Sequence, residues 1–275
     1  MTRSPLLQSL VTKLALHHGK YNLLRMREET KEELRFSWAT CFHRIVLRHC
    51  NTPTVDTSYL AYSIALTFAS MFPPTRRDTR CHLYTAAAML AFKFLEEDDP
   101  RSQEFHKITS NITTSSSSGS SESGPIEYCK KRICGMEQRL MMAVDWRLGD
   151  IVLPMVLVYA LLDTISMQHR TLTAQEKRAI ATEVNKLFFF ILQAPTRYSQ
   201  VLLYPMQDIV AVLLTIILSQ HWKATTRLEH TLLSVLLQLL HDEYSPSDED
   251  GSNMQVLLNF VRALNTSRLQ LHIVK

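Results

Sequence analysis

The stretch Tyr84-Thr85-Ala86-Ala87-Ala88-Met89-Leu90-Ala91-Phe92-Lys93-Phe94 decides the fold class. Its residues are small or apolar at nearly every position, so a helix built from them has almost no polar face to turn towards solvent. Such a helix is buried on all sides, and its alanines let neighbouring helices approach closely. We therefore predict a central helix at 82–95, with other helices packed around it.

Helical spacing of apolar residues continues on both sides of this central helix. Upstream, the segments 32–49 and 56–72 each carry one apolar stripe, and Asp56 is placed to cap the second. Downstream, the segment 128–148 has one apolar face, formed by Ile133, Met136, Leu140 and Val144. No region alternates polar and apolar residues convincingly over several strands. The sequence predicts an all-α protein.

The second half of the chain repeats this organisation less clearly. Helical patterns cover 153–166, 177–192, 199–219, 227–244 and 253–273. Thr173 and Glu176 have the spacing of a capping box at the start of the second of these. The pattern predicts two stacked helical units, the second more divergent, after an N-terminal leading helix.

The predicted domains follow from these units. Residues 1–31 form an N-terminal extension, 32–150 the first helical unit and 151–275 the second. Within the first unit, residues 110–125 form a loop that is nearly all Ser, Thr and Gly over most of its length. Such a composition buries too little apolar surface to order itself.

The composition and the motifs of the chain argue against several classes of function. The net charge is +4 without a run of basic residues, which does not favour nucleic-acid binding. The 5 cysteines lack CxxC spacing, so neither a disulfide framework nor a zinc site is indicated. A Gly-rich phosphate loop and other catalytic motifs are missing, so we predict a protein that is not an enzyme and takes no cofactor or metal. The sequence shows neither a secretory signal nor an unbroken apolar span, and no membrane is expected.

The run at 84–94, followed by Glu96-Glu97, resembles the central helix of the cyclin box. The resemblance extends through 104–109, which is similar to the short fourth helix of that box, and through 128–148, which is similar to the fifth. It covers roughly Glu33 to Tyr159 and, more loosely, a second box. It implies two five-helix cyclin-like units.

The cyclin resemblance implies a regulatory subunit that binds and activates a cyclin-dependent protein kinase. Two polar residues, Lys93 on the central helix and Glu137 on the fifth, are expected to hydrogen-bond the kinase backbone. The expected apolar contacts beside them are Phe94, Met141, Trp146 and Leu148. We interpret Met136 as core because it shares the stripe of Ile133, whereas Met142 fits either core or contact.

The resemblance also implies a substrate-docking patch, to which Arg35, Arg77 and Cys41 correspond. Cys41 stands where the family usually has Trp, and Arg80 replaces an apolar residue. A basic residue there would repel the usual Arg-x-Leu ligands. We therefore expect altered or absent docking of kinase substrates and inhibitors that carry this motif.

Other uses of the same fold remain open from the sequence. One is a cyclin-fold scaffold that does not activate a kinase, and another is a cyclin-fold transcription factor that contacts DNA. Ser245, which precedes Pro246, is a candidate phosphorylation site. The family resemblance implies a location in the nucleus and cytoplasm.

Overall fold

The computed structural model describes residues 3–20, 54–72, 77–95, 125–168, 171–193, 201, 204–223, 225–241, 254–263 and 265–266. Side chains at a few of these positions are not described. The predicted helix at 32–49, the short one within 104–109 and the Ser-rich loop up to residue 124 lie outside the described residues.

Helices dominate the described part of the chain. They are α1 (Pro5–Lys20), α2 (Val55–Met71), α3 (Arg77–Leu95), α4 (Pro125–Ala143), α5 (Pro154–Gln168), α6 (Ala174–Gln193), α7 (Met206–Trp222) and α8 (Thr226–Leu240). Residues 254–263 are helical as well. The described ranges contain no β-strand, so the all-α prediction is confirmed.

The chain forms two units, each with its own internal packing. One comprises Met1–Lys13, Pro154–Ile191 and Tyr198–Lys275, and the other comprises Leu14–Leu153 and Leu192–Arg197. We call the first the C-terminal unit and the second the N-terminal unit, after where most of their residues lie. The division after Leu153 separates α4 from α5, and the first 13 residues belong with the later helices.

The helix α3 is the centre of the N-terminal unit and packs against both α2 and α4. All residues from His82 to Met89 are buried, as are Ala91 and Phe92. The prediction of burial on all sides is therefore confirmed from His82 to Phe92, where only Leu90 is partly exposed, whereas the last turn, from Lys93 to Leu95, leaves the core. The stripe of α4 that includes Ile133 and Leu140 closes the same core, and Met136 is buried with it, as predicted.

The start of α2 differs from the prediction. Thr54, not Asp56, is the N-cap, because the Thr54 hydroxyl accepts the backbone N–H of Thr57 at 3.1 Å. Asp56 lies inside the first turn. A carboxylate there is still favourable because it faces the positive end of the helix dipole.

The end of α4 also differs, because the helix stops at Ala143 and does not continue to Leu148. Asp145 and Trp146 both have positive φ, 50° and 60°. The Asp145 N–H donates to the Met142 carbonyl at 3.1 Å, and the Trp146 N–H donates to the Met141 carbonyl at 2.8 Å. These two bonds form a Schellman motif, which ends the helix with the chain in the left-handed region.

The C-terminal unit has a central helix of its own, α7, which packs against α5 and α8. Its residues are buried without a break from Met206 to Ser219. The N-terminal segment joins this unit: Nε of Arg3 donates to the Leu239 carbonyl at 2.7 Å. The apolar side chains of Leu7 and Val11 are buried.

The capping box at the start of α6 is confirmed. The backbone N–H of Thr173 donates to Oε2 of Glu176 at 2.8 Å, and the N–H of Glu176 donates to the Thr173 hydroxyl at 3.2 Å. Nearby, Nζ of Lys177 lies 2.6 Å from Oδ1 of Asp163 on α5. Local capping and this cross-helix ion pair together fix the start of α6.

Candidate partner-binding site

Lys93 and Glu137, the two polar residues predicted to contact a partner, bond to each other in the N-terminal unit. Nζ of Lys93 donates to Oε1 of Glu137 at 2.9 Å, although 44 positions separate the two residues in the sequence. The Lys93 side chain is 45% exposed and that of Glu137 is 13% exposed. An ion pair in this setting has a small net effect on stability, but it holds both side chains in one place.

The helices explain why these two side chains meet. Lys93 lies in the last turn of α3, where the helix emerges from the core and the side chains of Lys93 and Phe94 become exposed. Glu137 lies on α4, beside the buried stripe residues Met136 and Leu140. A cation in the last turn of α3 also faces the negative end of that helix dipole.

Two of the predicted contacts are exposed aromatic residues. Phe94 is 50% exposed and Trp146 is 65% exposed. The end of the Phe94 ring lies beside Gly149, where a β-carbon would be 4.0 Å from Cζ. Aromatic side chains are enriched on surfaces that bind another protein.

The remaining predicted contacts differ in exposure. Met141 is partly buried and packs against the core, and its carbonyl accepts the Trp146 N–H. Leu148 is only 6% exposed and belongs to the core of the N-terminal unit. Its side chain therefore offers little surface to a partner, unlike the contact that the resemblance implies.

The sequence left open whether Met142 belongs to the core or to the partner contact. It is 65% exposed and so is not core filling. The periodicity of α4 carries the signal, because Met142 is two residues after the buried Leu140 and two before the buried Val144. A position two residues from the middle of a buried stripe lies on the opposite side of a helix.

The structure does not describe the side chains of the residues predicted to form the docking patch or the phosphorylation site. Arg35, Cys41 and Ser245 lie outside the described residues, and Arg77 begins α3 with a side chain that is not described. Arg80, the basic residue expected to weaken Arg-x-Leu docking, is partly buried. The substrate-docking patch stays a prediction.

A scan against protein-family models, a search of curated proteins and a search of solved structures all find no match to this sequence.

Two further features of the described residues bear on the type of site. Their His, Cys, Asp and Glu side chains include no group of three or more that could hold a metal ion. One stretch, Leu148–Gln168, has the length and composition to cross a membrane, and 61% of its apolar window is buried inside the protein. A core helix of a soluble protein passes the same test, so this stretch is weak evidence for a membrane span.

Proposed function

We propose that the chain is a cyclin, a non-catalytic subunit that binds and activates a cyclin-dependent protein kinase. The observation that carries the proposal is the Lys93–Glu137 ion pair at the end of the central helix α3, together with the exposed side chains of Phe94 and Trp146. The residues expected from the cyclin resemblance to contact the kinase thus include two that pair in space and two exposed aromatics. The proposed fold is two cyclin-like units.

The pair offers complementary chemistry to a partner backbone. The Lys93 ammonium has three donor hydrogens, and Glu137 accepts only one of them, so others remain to reach carbonyl oxygens of a partner. The Glu137 carboxylate has further lone pairs for backbone N–H groups. A helix end supplies just such groups, since its terminal N–H and C=O groups lack partners within the helix.

In this proposal, the chain activates the kinase by holding the regulatory helix of the kinase in its active position. A protein kinase needs a Glu on its regulatory helix paired with a Lys on a strand before the phosphates are aligned. A subunit that binds only the arrangement with this pair formed shifts the kinase population towards it. The size of the shift is set by the difference in the free energy of binding to the active and the inactive arrangements of the kinase.

A charge exchange tests this proposal. The variant Lys93→Glu with Glu137→Lys keeps an ion pair inside the chain but exchanges donor and acceptor relative to a partner. The Lys186–Glu183 pair on α6, 2.8 Å apart and exposed, provides a matched control when exchanged in the same way. The chain is purified from its own cells with its associated proteins, and kinase activity and thermal unfolding are measured.

We expect the wild type and the control exchange to recover an active kinase, and the Lys93/Glu137 exchange to lose at least tenfold of the activity with unchanged thermal unfolding. If the wild type brings down a kinase that is inactive, the chain is a scaffold. If it brings down DNA-binding proteins and no kinase, the transcription-factor alternative holds. Full activity in the exchanged variant would overturn the assignment of Lys93 and Glu137.

A further inference from the structure

We infer that Ser4 is a phosphorylation site, and that a phosphate on it releases the start of α1 from the C-terminal unit. Ser4 stands directly before Pro5, and a serine followed by proline is the sequence that proline-directed protein kinases modify. Ser4 is partly exposed and Pro5 is exposed, so the motif lies at the surface. The inference goes beyond the proposed contact that activates a kinase and does not depend on it.

The Ser4 hydroxyl caps α1. It accepts the backbone N–H of Leu7 at 3.2 Å, and the Ser4 carbonyl accepts the N–H of Gln8 at 2.9 Å. Pro5 is the first helical residue, a position that suits proline because an N–H there would have no partner within the helix. A cap residue lies just outside the helix, so the Ser4–Pro5 motif is not enclosed in a helical turn.

The same hydroxyl joins α1 to α5. Oγ1 of Thr164 lies 3.2 Å from Oγ of Ser4 and also donates to the Ala160 carbonyl at 2.8 Å. Thr164 is only 1% exposed. One oxygen atom of Ser4 therefore both caps α1 and contacts a buried side chain of α5, and a modification of that atom affects both interactions.

Residues on both sides of Ser4 hold the segment in place. Nε and Nη2 of Arg3 donate to the carbonyls of Leu239 at 2.7 Å and Gln238 at 3.4 Å. These carbonyls belong to the last turn of α8, where a cation faces the negative end of the helix dipole. Leu7 is completely buried. Ser4 thus lies between a polar and an apolar attachment to the same unit.

The modification is a phosphoryl transfer from a nucleoside triphosphate. The Ser4 oxygen forms a bond to the terminal phosphorus, the bond from that phosphorus to the nucleoside diphosphate breaks, and the hydroxyl proton passes to the catalytic base of the kinase. The product carries about two negative charges at pH 7 and three additional acceptor oxygens.

A phosphate on Ser4 does not suit the docked arrangement. Because the Ser4 oxygen lies against the buried Thr164, the charged group would lose water on that side, which disfavours docking. The phosphate is also a stronger partner for the Arg3 guanidinium than a neutral carbonyl is. The positive end of the α1 dipole still favours the phosphate. We therefore expect α1 to stay helical while its first turns leave α5 and α8.

Phosphorylation of the full chain tests the site. The chain is incubated with ATP and a purified proline-directed protein kinase that is active as a single chain, and mass spectrometry locates the phosphate. We expect a phosphate on Ser4 that is lost in Ser4→Ala and strongly reduced in Pro5→Ala. Ser9→Ala, a matched change at an exposed serine of α1, should leave it in place. A peptide of residues 1–12 checks that the kinase accepts the sequence.

Deuterium exchange tests the release. With Thr52→Ala and Ser245→Ala in the background, Ser4 is the one serine or threonine of the sequence that is followed by proline. We expect phosphorylation of this chain to raise the uptake by amides 7–13 several-fold and to leave uptake by α4 unchanged. Ser4→Asp, which keeps a capping oxygen without the size of a phosphate, should raise the uptake less.

A full chain that stays unmodified on Ser4, whether or not the peptide is phosphorylated, would overturn the site. Equal uptake by the phosphorylated and unmodified chains would overturn the release. The Lys93/Glu137 exchange should be phosphorylated on Ser4 like the wild type, because the added kinase needs no partner subunit. Either proposal can therefore fail without the other.

Discussion

The guanidinium of Arg262 lies 2.6 Å from Oε2 of Glu229, and this bond joins the helix at 254–263 to α8. The Glu229 side chain is 12% exposed, so its carboxylate depends on this donor. We expect Arg262→Ala to lower the free energy of unfolding by about 1–3 kcal/mol, because it removes a charged partner of a buried acceptor. Urea unfolding measures the loss, with the exposed Arg178→Ala as control; equal small losses in both variants would contradict the prediction.

The Schellman motif at the end of α4 predicts a stabilising substitution. Asp145 has a φ of 50°, in the left-handed region that glycine adopts more readily. We expect Asp145→Gly to raise the free energy of unfolding by about 0.5–1 kcal/mol and Asp145→Val to lower it. Thermal unfolding of both variants tests this, and a less stable glycine variant would show that the aspartate side chain matters more than the backbone strain.

The capping box of α6 predicts a pH dependence. The N–H and hydroxyl of Thr173 donate to the Glu176 carboxylate and hold the pKa of Glu176 below its ordinary value, with a smaller effect from His221. Because the folded pKa is depressed, the stabilisation is full above the unfolded pKa and is lost as pH falls through the folded one.

The measurement compares the wild type with Glu176→Gln from pH 7 to pH 3. The wild type should be more stable at pH 7, and the difference should shrink once the pH drops below the ordinary Glu pKa of about 4.3. The same comparison with His221→Gln in both proteins removes the smaller contribution. A difference that stays constant with pH would contradict the assignment to Glu176.

The exposed aromatics predict an effect on binding without an effect on folding. Phe94→Ala and Trp146→Ala remove side chains that are at least half exposed. In the proposed kinase complex, each substitution should weaken binding about tenfold or more, since a few aromatic residues often contribute most of the binding free energy of an interface. Leu228→Ala on α8, also exposed, is the matched control. Pull-down titrations and thermal unfolding separate lost binding from lost stability.

Local and periodic features could be predicted from the sequence. The alanine-rich run predicted a buried central helix, the spacing from Ile133 to Val144 predicted the core face of α4, and Thr173 with Glu176 predicted a cap. Each of these signals lies within one helix or one turn. Features of this kind follow from the spacing of residues along a single helix, and that spacing can be read from the sequence.

Contacts between distant segments could not be predicted in the same way. The resemblance suggested that Lys93 and Glu137 face one partner, but nothing in the sequence said that they bond to each other. The Arg262–Glu229 pair likewise depends on how two helices pack. The end of α4 was missed because Asp145 and Trp146 are not residues that usually mark a left-handed turn.

The unbroken burial of α7 makes this helix a reporter of large-scale opening. Hydrogen-bonded backbone amides within a helix covered on every side exchange with solvent only when the surrounding structure separates. Deuterium uptake by the middle of α7 should therefore be among the slowest in the C-terminal unit. A ligand or substitution that slows this uptake acts on the whole unit, whereas one that slows uptake only at exposed turns acts locally.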